Sequence, residues 1–431
     1  MSVPMIVEMM AESLFALVDI FFVSHLGPGA VAVVGITESM MYLIYSVAIG
    51  LSVGASATVA RRIGEKDQEG AAKAATHSIY LGLLTAILLG IVGVIFAPDF
   101  LRLMGAEESV VAEGTNFTRI MLGGNLVVVF LFLLNSIFRG AGDAAIAMRV
   151  LWLANILNII LGPCFIFGLW IFPELGVTGA AIGTTIGRGC GVAFAAWYMF
   201  RGEKRFHIHS HSWRVDFDQL WRLVKVSAPA ILQFFIQTAS WIGLVRVITG
   251  FGTTAVAGYQ IAIRVVIFAL LPSLGLANAA ATLVGQNLGA GKPERSEKAV
   301  WKAVFYNVIV QTSIGIFFVI FAERIARGFA TDPAELMFAT DALRIIAYGF
   351  LFYAFGMVLE TAFNGAGDTW TPTILNLFVF WLFEIPLAYV LAYRFGFGPQ
   401  GAFWAITISF SLLAVAAVVL FKRGKWKLKK V

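Results

Sequence analysis

Charge is scarce in this chain. Asp, Glu, Lys and Arg make up only 13% of its 431 residues, against about 25% in a soluble domain. Hydrophobic residues make up 59% and the mean hydropathy is +0.86. That balance excludes a disordered chain and a water-soluble enzyme, and leaves an integral membrane protein. Cysteine is scarcer still: Cys164 and Cys190 both sit in apolar runs, where a thiol acts as a small hydrophobe, so a disulfide scaffold is excluded. Histidine is almost confined to one hydrophilic stretch, where His207, His209 and His211 alternate with no cysteine or carboxylate beside them. No metal site and no organic cofactor is expected from that pattern. The apolar segments also lack a paired nucleophile and base, so an intramembrane enzyme is not expected.

Apolar stretches of about 20 residues, long enough to cross the hydrocarbon core as helix, recur along the whole chain. Twelve are expected, near 4–25, 29–57, 77–97, 117–138, 148–170, 177–200, 226–249, 254–283, 301–322, 341–362, 373–394 and 400–421. Runs such as Leu81 to Ala97 are apolar on every face, unlike the alternating strands of a barrel, so the fold class is an all-α membrane bundle. The chain opens on an apolar run without a basic leader, and no cleavable signal peptide is expected.

Lys and Arg concentrate in every second loop: Arg61 to Lys73, Arg139 to Arg149, Arg201 to Lys225, Lys292 to Lys302, and the tail from Lys422 to Lys430. The positive-inside rule puts these loops and both termini in the cytoplasm of a bacterial-type inner membrane. It also accounts for the pI of about 9.3 through topology and attraction to anionic lipid, with no need of nucleic acid.

The chain repeats itself. Pro4 matches Pro229, "HLGPGAVAVVGI" from His25 overlies "GFGTTAVAGYQI" from Gly250, and "LNSIFRGAGDA" overlies "LETAFNGAGDT", all at a shift of 225; Gly179-Ala180 then pairs with Gly401-Ala402 at 222. Asp143 and Asp368 are thus equivalents, and each GAGD is expected to turn the chain, with Gly at positive φ and Asp bonded to nearby backbone. Six spans per half is an even number, so the halves are parallel repeats about an axis along the membrane normal, as in secondary transporters. The expected layout is an N-lobe at 1–200, a connector at 201–225, a C-lobe at 226–421 and a basic tail at 422–431.

Charges inside the spans call for a reason, because each costs at least ~2.5 kcal/mol at mid-bilayer. Span 1 holds Glu8, Glu12 and Asp19, which at about 100° per residue share one stripe roughly 16 Å long. Such a stripe is expected to face a hydrated cavity and to bind cations. The alternative is that these acids pair with Arg188 or with main-chain donors. In the second half Gln233 and Gln237 replace Glu8 and Glu12, Ser240 continues the face, and Glu360 and Glu384 are the acids within spans. Arg264 in span 8 and Glu38 in span 2 are candidates for a conformation-dependent ion pair, a permanent pair or main-chain bonding; Arg246 is expected to snorkel. Glu8, Glu38, Gln233, Gln237, Arg264, Glu360 and Glu384 are the candidate lining of a substrate cavity.

The opening "PMIVEMMAESLFALVDIFFVSHLG", the loop "VARRIGEKDQEGAAKAA", the paired "FRGAGD" and "FNGAGD", and "GVTGAAIGTTIG" resemble, in this order and over essentially the whole chain, the multidrug and toxic compound extrusion (MATE) family. The resemblance implies a V-shaped pair of lobes that exports drug-like, often cationic, molecules in exchange for H⁺ or Na⁺. It places the family's span 1 acid on Asp19, its span 1 proline, a hinge, on Pro4, its span 5 asparagine on Asn158 and its span 6 threonine on Thr184. Two positions depart from the family: Gly162 stands where many members carry a second aspartate, and Gln237 where some carry a glutamate. Glu12 is our candidate for the missing negative charge.

The resulting expectation is a monomeric antiporter, with Asp19, Glu12, Asn158 and Thr184 in cation coupling, a small-molecule substrate and lipid as its surroundings. Neutralising Asp19 would remove the cost of closing its cavity and let span 1 bend at Pro4. A flippase for a lipid-linked precursor is the alternative; it would need a cationic cavity for the pyrophosphate, toward which Arg188 and Arg264 point. A channel is disfavoured, because the carboxylate stripe belongs to one half only.

Overall fold

The computed structural model describes residues 2–201, 210–330 and 332–429, with the side chains of residues 13–20, 24, 28, 210 and 211 outside that description. His207 and His209, and the side chains of Asp19 and His211, therefore lie outside the described residues. The chain forms two compact units, residues 3–231 and 232–431. Among the described residues there is no strand.

The first unit contains α1 (Ser2–Ser24), α2 (Pro28–Gly64), α3 (Gln68–Leu103), α4 (Glu108–Gly123), α5 (Asn125–Ala141), α6 (Ala144–Phe167), α7 (Gly176–Arg201) and the start of α8 (Phe217–Thr249). The second holds the rest of α8, then α9 (Thr253–Gly289), α10 (Pro293–Arg327), α11 (Pro333–Ala347), α12 (Phe350–Gly365), α13 (Trp370–Asn376), α14 (Ile385–Tyr389) and α15 (Pro399–Lys422). Among the described residues nine helical stretches are each long and apolar enough to cross a membrane, and α11 with α12, bent by 61°, makes a tenth. The remaining two spans are α1, diluted by three acids, and α7, diluted by glycine and Arg188. This is the twelve-helix, two-repeat bundle read from the sequence.

The repeat is visible in detail. Span 4 breaks at Gly124, between α4 and α5, and span 10 breaks at the equivalent Gly349, between α11 and α12. In the two GAGD turns Gly142 and Gly367 take φ of 85° and 80°, the left-handed region that side chains resist. The aspartates differ from expectation. Asp143 makes no side-chain cap, while Asp368 accepts from Thr371 Oγ1 at 2.7 Å and pairs with Lys429 Nζ at 3.0 Å. At Asp368 side chains take the place of the backbone bonding expected of it.

Each last helix is followed by a short turn that carries a tryptophan back onto its own unit. After α7, the backbone carbonyls of Ser212 and Trp213 accept from Thr76 and Tyr80 of α3, and the His77 ring accepts from the Asp216 amide at 2.9 Å. After α15, Trp426 is fully buried, stacks 4.6 Å from Phe421, and is flanked by Lys427 Nζ on Glu297 at 2.5 Å. Span 11 is irregular: α13 and α14 are separated and followed by π-helical stretches, Leu377–Glu384 and Val390–Arg394. Such wide turns are common at functional sites.

Candidate cation-coupling site

Within a bilayer, helices gain little from hydrophobic burial, and close packing depends on small residues. In α7, Gly179, Gly183, Gly187 and Gly191 recur every fourth residue and lie against α6: a Cβ at Gly183 would come 2.9 Å from Gly162 Cα, and one at Gly187 would come 2.9 Å from the Asn158 amide. That approach sets the first polar pair, in which the buried Asn158 Nδ2 donates to the buried Thr184 Oγ1 at 2.8 Å. The structure thus brings together two of the four residues expected in cation coupling. Gly162 itself borders open space, with nothing within 4 Å of where its Cβ would be.

The other partners come from α1. Glu8 is 1% exposed, and Arg139 Nη1 at the end of α5 donates to its Oε1 at 2.5 Å; its Oε2 has no hydrogen-bond partner. One turn later Glu12, with a side chain 30% exposed, lies 3.8 Å from Nη2 of the buried Arg188, whose Nη1 donates to Tyr45 Oη at 3.3 Å. Asn155 Nδ2 donates to the Ala11 carbonyl at 2.8 Å. Side chains of α2, α5, α6 and α7 thus hold or enclose the polar face of α1. A carboxylate and an arginine removed together from water offset each other's desolvation only when they are well paired, and Glu8 with Arg139 meets that condition through one carboxylate oxygen only. The arginine that holds Glu8 is Arg139, which the sequence reading did not name as a partner, while Arg188, which it did name, lies beside the part-exposed Glu12.

Of the expected cavity residues, Glu8, Gln233, Glu360 and Glu384 are buried, Gln237 is half-buried, and Glu38 and Arg264 are exposed. In this conformation the buried four are shielded from solvent, where a hydrated lining was expected of them; for Glu8 the reason is Arg139, which replaces water as the partner. Glu384 closes the first π-helical stretch and shares the interior of its unit with Tyr259 and Tyr353. Pro4 is the third residue of α1, and its repeat partner Pro229 lies well inside α8. Among the described residues no group of three or more His, Cys, Asp or Glu could hold a metal.

Arg139, Tyr45 and Asn155 were missed by sequence reasoning. A signal existed for the first. The repeat that replaces Glu8 by Gln233 also replaces Arg139 by Asn364, so both members of a charged pair become amides together.

The MatE family model matches residues 4–164 and 229–390, two stretches that begin at the very prolines that open the internal repeat. The chain belongs to the MATE family. It is a multi-pass membrane protein of a multidrug efflux family. A MATE crystal structure in complex with MaL6 superposes with a TM-score of 0.93 at 28% identity, over 99% of this chain and 96% of that one. A MOP superfamily transporter from Pyrococcus furiosus, described as having a binding pocket of reverse polarity that suggests a different function, also reaches 0.93, at 29% identity over 100% of this chain and 95% of that one. The probable multidrug resistance protein NorM of Thermotoga maritima is 26% identical, over 100% of this chain and 93% of its own length.

Proposed function

We propose that this MATE protein is an antiporter that exports drug-like, organic-cation or amphipathic molecules by alternating access, driven by H⁺ or Na⁺ entering a bacterial-type inner membrane, with both termini cytoplasmic. The observation that carries this reading is the polar face of α1, where Glu12 keeps a part-exposed side chain beside Arg188 inside an apolar unit and Asp19 follows two turns later in the sequence. A carboxylate kept near the bilayer interior at a cost of a few kcal/mol is retained for exchange with a cation. Asn158 and Thr184 supply neutral oxygens of the kind that complete a cation's shell. Cation and substrate then act reciprocally: whatever factor one imposes on the other's affinity is returned. Ethidium efflux from proteoliposomes under separately imposed pH and Na⁺ gradients tests the reading. One gradient is expected to drive efflux and the other to be silent; efflux indifferent to both contradicts it.

An exporter of anionic substrates is a second reading. It is favoured by the exposed Arg264 and by the reverse-polarity pocket of the Pyrococcus furiosus neighbour. The same vesicles loaded with an anionic dye separate the two, since only this reading expects its efflux and sensitivity to Arg264→Gln.

A further inference from the structure

Each α1 acid whose side chain is described faces an arginine from another helix of the same unit, and the two contacts differ in kind. Glu8 and Arg139 form a close pair, 2.5 Å apart, with Glu8 buried and Arg139 only 13% exposed. Glu12 and Arg188 form an open one: 3.8 Å exceeds a hydrogen bond, the Glu12 side chain stays 30% exposed, and the guanidinium is also bonded to Tyr45. A guanidinium so placed attracts the carboxylate without occupying the positions its oxygens offer to an incoming ion.

We propose that Arg188 is a built-in competitor for the coupling cation at Glu12. This rests on the antiporter reading above. Without a cation, Arg188 attracts Glu12 and, through it, restrains α1. When H⁺ or Na⁺ reaches Glu12 from the solvent side, the carboxylate is neutralised, the attraction to Arg188 is lost, and Arg188 remains on Tyr45. Three features fit this exchange. Glu12 is accessible, Arg188 is 4% exposed and so has no solvent to swing into, and Tyr45 gives it a second acceptor. The Asn155 bond to the Ala11 carbonyl fixes the α1 backbone next to Glu12, so that the change is felt at one place on the helix. Glu8, one turn away, buried and already bonded to Arg139, does not exchange.

The test is the half-saturating concentration of the driving cation for ethidium efflux from proteoliposomes. Arg188→Gln is expected to lower it by about tenfold, because an opposing charge 3.8 Å away has gone. Arg188→Lys is expected to restore the wild-type value, and in a Glu12→Gln background Arg188→Gln is expected to cause no shift. An unchanged half-saturation in Arg188→Gln, or failure of Lys to restore it, overturns the proposal. Should Arg188→Gln fail to fold, Tyr45→Phe removes the second acceptor and is expected to raise the half-saturating concentration; no rise overturns the proposal equally. Should wild-type efflux ignore both gradients, the antiporter reading falls, and amide hydrogen exchange along α1 decides the role of Arg188. Faster exchange in Arg188→Gln, or slower exchange in Tyr45→Phe, keeps Arg188 as the restraint on α1, and unchanged exchange in both overturns it.

Discussion

The Glu8–Arg139 pair offers a sharp perturbation, because the protein's second half contains its neutral version. At 2.5 Å two unit charges attract by about 7 kcal/mol at an effective dielectric of ~20. Most of that offsets the desolvation of two ions. Glu8→Gln alone leaves Arg139 without its counter-ion, and Arg139→Asn alone leaves a buried carboxylate. Each is expected to cost about 3–5 kcal/mol, seen as a fall in Tm on the order of 10 °C for a unit of this size. The double variant reproduces the Gln233 and Asn364 combination of the second half. It is expected to return to within about 2 kcal/mol of wild type, a coupling of several kcal/mol between neighbours. Thermal unfolding of the detergent-solubilised protein, followed for wild type, both single variants and the double, gives the cycle. Silent single variants, or a double variant whose loss equals the sum of the two, refute the reasoning.

Further predictions follow from particular contacts. Gly162→Asp has room for its Cβ, so it is expected to express and unfold like wild type while increasing Na⁺ affinity in direct ²²Na⁺ binding; a folded variant with unchanged affinity would show that the open space is not part of a cation site. Gly187→Val drives a side chain into the Asn158 backbone, and is expected to destabilise by about 1–3 kcal/mol or more and to reduce transport, read by thermal unfolding and ethidium efflux together. Trp426→Ala removes a fully buried ring and is expected to cost about 3–5 kcal/mol, with proteolysis of the tail as the readout; resistance equal to wild type argues against a docked tail.

The fold was legible because a membrane leaves few choices. Twelve apolar runs had to be helices, and the shift of 225 could be read from loops that no lipid constrains. Its finer features were legible only through the repeat: the paired GAGD motifs announced two positive-φ glycines, and Gly124 and Gly349 sit at matching positions although neither break was foreseen. The site was only half legible. Asn158 and Thr184 lie on adjacent spans whose glycines permit one close packing, so their contact follows from local pattern. The partners of α1 do not. By the positive-inside rule Arg139 reads as a loop charge, and nothing in its immediate sequence says that it turns inward to Glu8. Long-range pairing of charges depends on how helices cross, and periodicity within one helix is blind to that. The same limit applies to the π-helical stretches of span 11, since a wide turn changes the register of a helix without changing its composition.

Opposed movement of cation and substrate, centred on the α1 carboxylates, is the mechanism we propose. Its most direct measurement runs the cycle backwards. In vesicles without any imposed ion gradient, a downhill pulse of ethidium is followed by internal pH and Na⁺ dyes. Opposed movement of one cation, abolished by Asp19→Asn and weakened by Glu12→Gln while both variants still bind ethidium, is the predicted result. Ethidium flux with no accompanying cation, or cation flux undiminished in Asp19→Asn, would contradict it.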